Sequence, residues 1–441
     1  MLVGPTPAPR AALLRSGFTL LLAFGLSACR VSDSAPEAAA PDSSAAPGAG
    51  ISVYGDGGLP TDAEVEATRY GGRRSGLSAD TAALAAAARA NPETLAQVDS
   101  TRDWAAAVRL PLGGSVAGPS VVRVQTLLDR AGFTVGEIDG RWGDNTELAV
   151  VWLQKAVQLP PTGIVDAATL RALRGRAGEP DSLVTTVALT AADVRGPFTA
   201  LPADIYAKAE LDRLGFESLS EALGERFHAA PALLQRLNPG VALDSLAAGA
   251  RLRVPNVAGA PTPRDAVSRL VISGRDGYLH ALATDGTVLF HAPVTLGAGY
   301  DPSPQGDFRI TAVARNPSWH YQPALLSGVP DDREDATLPP GPNNAVGMVW
   351  MALSEPHYGI HGTSAPGTIG TATSSGCVRL TNWDALRLAA LVRSGTTVHF
   401  RDITGREASP ADSARGSSPA RPAAARPAAA RPGGPSAAGR G

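Results

Sequence analysis

Three short segments between residues 118 and 176 carry apolar side chains at the three- and four-residue spacing of an amphipathic helix. The first, "SVVRVQTLLDRAG", ends at Gly132, and the second, "NTELAVVWLQKAV", follows a turn at Asp139-Gly140. The third, "DAATLRAL", begins at Asp166, a residue type that caps the N-termini of helices. Because glycine turns separate the three segments, this stretch predicts a small three-helix bundle.

Residues 198–257 contain a second helical pattern, which ends in a strand. In "SLSEALGERFHAAPALLQRLNPG" a helix is followed by a turn and a second helix, which Pro231 opens and Asn238-Pro239-Gly240 ends. The sequence "ARLRVPNV" then predicts a strand. We therefore expect two helices and a closing strand, with any opening strand missing or altered.

From Ser268 onward the period of the apolar positions falls to two, which is typical of strands. "RLVISGRDGYLHAL" and "GTVLFHAPVTLG" carry hairpin signals at Asp276-Gly277 and Asp285-Gly286. "GDFRITAVA", "GMVWMALS" and "GTTVHFRD" add further strands, and "NWDALRLAALVRSG" adds one helix. This pattern predicts a mostly-β domain at residues 267–402, and the whole chain is expected to be a multidomain α+β protein.

Both ends of the chain lack such patterns. Residues 1–28 have the form of a signal peptide, with Arg10 and Arg15 ahead of an apolar stretch of about a dozen residues, shorter than the roughly 20 that a spanning helix needs. Residues 29–117 begin with an Ala/Pro/Ser/Gly-rich stretch and predict a flexible linker and N-terminal segment, with one helix in "ADTAALAAAARA". Residues 403–441, which include "PARPAAARPAAARPGG", predict a disordered tail.

Cys377 stands in an unusual setting. The chain has two cysteines, Cys29 and Cys377, and Cys377 follows His361 by sixteen positions (377 − 361 = 16) of mostly Gly, Ser, Thr, Ala and Pro. A cysteine thiol becomes a strong nucleophile toward amide carbonyls when its pKa falls from about 8.5 and it ionises to the thiolate. A nearby histidine supplies the base that takes the thiol proton. Gly376 lets the backbone turn so that N–H groups near Cys377 face a developing oxyanion.

Two other interpretations of Cys377 stay open: a buried thiol that packs as a small hydrophobe, and a zinc site of His357, His361 and Cys377. No paired-ligand spacing such as C-x-x-C is present, so we expect neither a metal nor a cofactor.

The segment from His361 to Arg379 resembles the catalytic domain of the YkuD family of L,D-transpeptidases, whose signature is H-G-T…S-x-G-C-x-R. Similar motifs upstream, "PSPQGDFRI", "NPSWHYQP" and "LPPGPNNAVGMVWMALSEPHYGIHG", extend the resemblance over roughly residues 267–401. The resemblance implies that Cys377 is the nucleophile and that His361, oriented by a backbone carbonyl, is the base. The residues that it implies in oxyanion stabilisation or substrate binding are Ser375, Gly376, Arg379, Gly362 and Tyr358.

Three further resemblances concern the rest of the chain. The glycine and aspartate order at residues 118–176 resembles a peptidoglycan-binding domain, with a helical spacer as the alternative. Residues 198–257 resemble a degenerate LysM module, which implies binding of glycan, with a packing role as the alternative. "LSAC" resembles a bacterial lipobox and implies that Cys29 becomes a lipidated first residue, the alternative being an ordinary signal peptide. Arg30 is not the aspartate of inner-membrane retention, so we expect a periplasmic protein anchored in the outer rather than the inner membrane.

Together these resemblances imply a periplasmic L,D-transpeptidase that forms 3→3 cross-links in peptidoglycan by cysteine acyl transfer from tetrapeptide stems. The expected partners are stem peptides and glycan, the membrane through the lipid anchor and, if a protein lysine is the acceptor, an outer-membrane protein. Water as acceptor would make the chain an L,D-carboxypeptidase, a protein lysine would make it a ligase, and a non-catalytic wall tether is a further alternative. The net charge of −2 gives no reason to expect nucleic acid as a partner.

Overall fold

The computed structural model describes residues 79–403 except 179, 181, 260–265 and 327–332. The predicted signal peptide at 1–28, the predicted lipidation site Cys29, the linker through residue 78 and the tail from residue 404 lie outside the described residues. Within the described part of the chain, no helix combines the length and the apolar character needed to cross a membrane.

Helices make up the first part of the described chain. In order they are α1 (Ala79–Arg89), α2 (Ala96–Ser100), α3 (Pro119–Arg130), α4 (Asp144–Ala156) and α5 (Ala167–Ala177). The sequence predicts α1 and the last three of these helices, but not α2. Asp166 caps α5 as expected, because its side chain accepts a hydrogen bond from the backbone N–H of Thr169 at 2.7 Å.

The folded part begins earlier than the sequence predicts. Residues 29–117 were expected to be a linker and N-terminal segment, but the stretch from Glu93 packs against α3. Trp104 and Leu112 are buried, and the Glu93 carboxylate accepts hydrogen bonds from the backbone N–H and the hydroxyl of Ser120 at 2.7 and 2.8 Å. The sequence analysis assigned this part of the N-terminal segment no role, and the structure shows that it belongs to the packed core.

A strand pair encloses the next group of helices. The order is β1 (Val184–Ala188), α6 (Ile205–Ala209), α7 (Leu219–Phe227), α8 (Pro231–Leu237) and β2 (Arg251–Pro255). β1 and β2 pair antiparallel, with Val184 opposite Pro255 and Ala188 opposite Arg251. The sequence predicted that an opening strand is missing or altered, and the structure shows that one is present. The strand lies outside the predicted bounds of 198–257 because a long connection separates it from α7.

The C-terminal part is built on a mixed sheet. Its elements are β3 (Arg269–Ser273), β4 (Tyr278–Leu282), β5 (Val288–Pro293), β6 (Gly306–Arg315), β7 (Trp319–Tyr321), β8 (Ala336–Leu338), β9 (Val349–Leu353), β10 (Gly359–His361), β11 (Val378–Arg379), α9 (Asn382–Leu391) and β12 (Thr397–Arg401). Eight strands form one sheet in the order β11-β10-β9-β6-β12-β3-β4-β5, and β7 pairs separately with β8. The two predicted hairpins are confirmed as β3–β4 and β4–β5, with Gly277 and Gly286 at φ 66° and 85°. The α+β class and the mostly-β catalytic domain are confirmed.

The helical part and the sheet pack directly against each other. The ring of Trp152 in α4 meets the ring of His280 in β4 edge-on at a centroid distance of 4.5 Å. The backbone N–H of Thr134 donates to the carbonyl of His291 at 2.9 Å, and the N–H of His291 donates to the carbonyl of Gly132 at 2.8 Å. The chain between α3 and α4 is thus bonded to the edge strand β5, which fixes the three-helix bundle on the sheet.

A buried ionic network, which we call the Asp129 network, joins three parts of the chain. Asp129 in α3 contacts Arg387 in α9 at 2.7 Å and the imidazole of His228, at the end of α7, at 3.0 Å. Burial alone would raise the pKa of Asp129, but the charges and hydrogen bonds of Arg387 and His228 hold it at about 2. Asp129 is therefore a buried carboxylate that depends on partners from two other segments.

Candidate active site

His361 is the last residue of β10, and Cys377 lies directly ahead of the neighbouring strand β11. β10 and β11 run parallel, with Ile360 opposite Val378 and His361 opposite Arg379. Ile360 and Val378 are buried in the core beneath the sheet. Because side chains alternate along a strand, His361, Arg379 and Cys377 share the opposite face. The structure therefore brings the predicted histidine, cysteine and arginine to one face at the edge of the sheet.

His361 is held in one tautomer. Its Nδ1 lies 2.7 Å from the carbonyl oxygen of Gly362, which can only accept, so Nδ1 carries the proton and Nε2 carries the lone pair. The ring stacks on Trp350 at a centroid distance of 5.5 Å and an interplanar angle of 24°. Burial, together with the positive charge of Arg379, lowers the pKa of His361 to about 3. At neutral pH the imidazole is uncharged and able to accept a proton at Nε2.

Cys377 lies directly ahead of β11 and is partly exposed. Its sulfur is 3.7 Å from the backbone carbonyl oxygen of His357. Burial raises the pKa of the thiol, a hydrogen bond with the Gly359 backbone and the charge of Arg379 oppose that rise, and the charge of Asp301 adds to it. The sequence analysis expected the thiol pKa to fall, and the structure differs because burial outweighs the Gly359 hydrogen bond and the charge of Arg379. A neutral thiol beside a neutral imidazole can react once the imidazole takes its proton.

The turn before Cys377 requires glycine at position 376. Gly376 has a φ of 89°, and a Cβ there would lie 2.7 Å from Cε1 of Tyr358. Ser374 is buried, and its hydroxyl donates to the carbonyl of Cys377 at 2.6 Å. Ser375 is exposed. Gly376 and Tyr358 are thus in contact beside the sulfur, whereas Ser375 points away from the buried side of the turn.

Gly362 lies against a side chain that the sequence analysis did not select. A Cβ on Gly362 would lie 2.2 Å from Oδ1 of Asn382, and one on Gly347 would lie 2.0 Å from the same atom. Asn382 Oδ1 accepts a hydrogen bond from the backbone N–H of Met348 at 3.0 Å. Asn382 is fully buried, at the start of α9. Its position relative to Gly362 follows from tertiary packing and leaves no signal in the spacing of the sequence.

Two charged groups of opposite sign lie near the sulfur. Among the described residues, Nε of Arg379 and Oδ2 of Asp301 are buried polar atoms with no hydrogen-bond partner. Arg379 lowers the pKa of the Cys377 thiol and Asp301 raises it. Asp301 also raises the pKa of Tyr358, after the larger effect of burial. The sequence analysis missed Asp301, because a single aspartate ahead of "PSPQG" carries no motif of its own.

The connection between His361 and Cys377 is in contact with the helical part of the chain. The side-chain amide of Asn145, in α4, donates to the carbonyl of Ile369 at 3.0 Å. A Cβ on Gly367 would lie 2.8 Å from Oε2 of Glu137. The three-helix region therefore contacts the loop between His361 and Cys377.

Within the described residues, no group of three or more His, Cys, Asp and Glu side chains is arranged to hold a metal ion. The Nδ1 atom of His361 is bonded to a carbonyl, and the sulfur of Cys377 contacts the backbone carbonyl of His357.

The sequence of the chain matches those of known proteins. Residues 268–400 match the family model of the L,D-transpeptidase catalytic domain, YkuD, and residues 117–173 match that of a peptidoglycan-binding domain. The chain is 32% identical over 178 residues to a protein of Bacillus licheniformis named L,D-transpeptidase YkuD, covering 40% of this chain and 90% of that protein. It is 31% identical over 172 residues to the YkuD protein of Bacillus subtilis, covering 39% of this chain and 87% of that protein.

A crystal structure of an L,D-transpeptidase from Xylanimonas cellulosilytica aligns with a TM-score of 0.30 and 18% identity, covering 67% of this chain and 98% of that one. This alignment is too weak to support an argument, so the assignment depends on the sequence matches. With a catalytic-domain match at 268–400 and relatives that it covers over most of their length, the chain belongs to the YkuD family of L,D-transpeptidases and carries a peptidoglycan-binding domain ahead of the catalytic domain.

Proposed function

We propose that this chain forms 3→3 cross-links in peptidoglycan, with Cys377 as the nucleophile and His361 as the general base. The observation that supports the proposal most directly is the tautomer of His361. Its Nδ1 proton is bonded to the Gly362 carbonyl, so the Nε2 lone pair is free on the face that Cys377 shares. A neutral imidazole in this tautomer is the form that a thiol can protonate.

The first half-reaction acylates Cys377. The sulfur attacks the carbonyl of the third, L-centred linkage of a tetrapeptide stem, and the thiol proton passes to Nε2 of His361. Backbone N–H groups around Gly376 stabilise the oxyanion, a contribution of about 2.7–4 kcal/mol for each such donor in comparable sites. The C–N bond to the terminal D-Ala then breaks, its nitrogen takes the proton from Nε2, and a thioester remains.

The second half-reaction transfers the acyl group. The amine at the D-centre of a diaminopimelate on another stem attacks the thioester carbonyl and loses a proton to Nε2. Collapse of the tetrahedral intermediate breaks the C–S bond and returns that proton to the sulfur. The product is a 3→3 amide, and the thiol and neutral imidazole are restored.

Arg379 and Asp301 are suited to the polar groups of the substrate. Both carry a buried atom without a hydrogen-bond partner among the described residues, and their charges are opposite. A diaminopimelate D-centre carries a carboxylate and an amine on one carbon. We assign the carboxylate to Arg379, which binds such groups in a bidentate manner, and the amine to the side of Asp301.

The remaining parts of the proposal concern location. The lipobox-like "LSAC" supports lipidation at Cys29, and with it a periplasmic enzyme held at the outer membrane. The peptidoglycan-binding domain, and the strand-enclosed helices if they bind glycan, would raise the local concentration of stems. Replacing Cys29 with alanine should shift the protein out of the membrane fraction. Membrane partition of a normally cleaved Cys29→Ala protein would contradict the anchor.

The acceptor is tested by mass spectrometry of the products after incubation of residues 30–441 with purified tetrapeptide monomers, alone and together with a lysine-containing outer-membrane protein. We expect 3→3 dimers together with release of D-Ala, and neither with Cys377→Ala. Tripeptides alone would identify a carboxypeptidase, and coupling only to a lysine-containing protein would identify a ligase. Wild-type turnover by the Cys377→Ala variant would refute the nucleophile.

A further inference from the structure

A loop of the catalytic domain lies between His361 and the strand-enclosed helices. This 339–347 loop, "PPGPNNAVG", is bonded on its outer side to the chain just ahead of α7. The backbone N–H of Leu214 donates to Pro340 at 3.1 Å, and that of Asn343 donates to Leu214 at 3.1 Å. The Asn343 side-chain amide donates to the Gly215 carbonyl at 2.9 Å and to the Glu221 carboxylate at 2.8 Å.

Asn382 holds the inner side of the same loop. Its Nδ2 donates to the carbonyl of Pro342 at 3.3 Å, and its Oδ1 accepts from the N–H of Met348 at 3.0 Å. The same Oδ1 lies so close to Gly362 that a Cβ there would be 2.2 Å from it. Asn382 is thus in contact with the peptide whose carbonyl oxygen sets the tautomer of His361.

The orientation of the Asn382 amide depends on a residue outside the catalytic domain. Its Nδ2 also donates to Oε1 of Glu225 in α7, at 3.0 Å. This contact and the Pro342 bond require that nitrogen, rather than oxygen, faces α7. Glu225 therefore completes a path of direct contacts that runs through Asn382 and Gly362 to the imidazole of His361.

We propose that Glu225 and Asn382 are positioning residues for His361, so that the helix α7 is part of the catalytic machinery. The proposal depends on the proposed function, because it matters only if His361 is the base. Burial raises the pKa of Glu225 to about 8, an effect that the Asn382 hydrogen bond opposes and that the charges of Glu221, Glu137 and Asp384 reinforce. Burying a carboxyl group among other acids costs free energy unless the group is hydrogen-bonded, and the Glu225 carboxyl is hydrogen-bonded to Asn382.

Two substitutions of Glu225 by residues of similar size distinguish a role in positioning His361 from a role in packing alone. Glu225→Gln keeps an oxygen that accepts from Asn382, whereas Glu225→Met has the same length and no acceptor. In the Met variant the Asn382 amide loses its hydrogen bond to Glu225 and keeps those with Pro342 and Met348, so its rotation, and with it the close contact with Gly362, is less firmly fixed. Glu210, which is exposed in the same part of the chain, provides the control Glu210→Met.

The experiment measures kcat and KM for transpeptidation, the rate of Cys377 alkylation by iodoacetamide, and thermal stability, all with residues 30–441. We expect Glu225→Met to lower kcat roughly 10- to 100-fold, the size of effect that a small misplacement of a catalytic group produces. KM and melting temperature should change little, alkylation should slow, and Glu225→Gln and Glu210→Met should match wild type. Full kcat in Glu225→Met would overturn the proposal, and so would a loss that follows melting temperature and that Glu225→Gln shares.

His361→Gln distinguishes a failure of this inference from a failure of the proposed function. If His361→Gln leaves alkylation unchanged, His361 is not the base and both proposals fail. If His361→Gln slows alkylation and Glu225→Met does not, the base assignment stands and the positioning role of Glu225 is refuted.

Discussion

Replacing Arg387 with methionine removes the strongest partner of the buried Asp129 carboxylate. Arg387 Nη2 lies 2.7 Å from Asp129 Oδ1, and the Asp129 side chain is 1% exposed. The difference between the ordinary pKa of 3.8 and the value of about 2 in the fold corresponds to ~2.5 kcal/mol of net stabilisation of the charged form. Without Arg387, His228 alone offsets the free-energy cost of burying the Asp129 carboxylate. Breaking a buried pair in this way costs about 3–5 kcal/mol.

The assay is thermal denaturation followed by circular dichroism at pH 7. A loss of that size should lower the melting temperature of Arg387→Met by roughly 6–20 °C, taking about 2–4 °C per kcal/mol. Because the pKa of Asp129 is lowered by folding, its contribution is present above pH 3.8 and is lost as pH falls toward 2. The difference between variant and wild type should therefore narrow below about pH 4.

Two further variants serve as controls for this prediction. Arg171→Met removes an exposed arginine on α5 and should change the melting temperature little. Asp129→Asn combined with Arg387→Met removes both charges, and should recover part of the stability that Arg387→Met loses. If Arg387→Met melts within 2 °C of wild type, or if the double variant is less stable than the sum of the two single changes, the reasoning is wrong.

Three more predictions concern the site itself. Asp301→Asn should speed the alkylation of Cys377 by iodoacetamide at pH 7–8, because it removes a charge that raises the thiol pKa; an unchanged or slower rate would count against this. Gly376→Ala should cost about 1–2 kcal/mol in backbone strain alone and abolish most transpeptidation, whereas Gly175→Ala, which meets no atom within 4 Å, should do neither. The pKa of His361 falls on folding from 6.5 to about 3, so its contribution to stability is present above pH 6.5 and is lost as pH falls toward 3. The melting temperature of His361→Gln should therefore decline less between pH 6.5 and 3 than that of wild type.

The local patterns of the sequence predicted much of the fold. Asp166 caps its helix, and Asp-Gly pairs form both predicted hairpins, because these signals act over three or four residues. The strand Val184–Ala188 was missed because its partner, Arg251–Pro255, lies more than sixty residues later. Pairing over such a distance is set by tertiary contacts, which a local pattern does not contain.

The site was predictable to the same extent. Cys377 and His361 were predicted from two short motifs in one segment, and the pairing of β10 with β11 brings them to one face. The state of the thiol was predicted wrongly, because its pKa depends on how deeply both side chains are buried. Asn382 and Glu225 could not be found from the sequence, since their contact joins residues 157 positions apart.

The contacts of Asn145 and Glu137 with the loop between His361 and Cys377 have a consequence for inhibitor design. A covalent ligand that reacts with the sulfur and extends along this loop would meet side chains from outside residues 268–400, the segment matched to the family model. Those side chains belong to the peptidoglycan-binding domain, which matches residues 117–173. Selectivity between this enzyme and family members without such a domain could therefore be sought at Asn145 and Glu137, rather than at the shared catalytic motif.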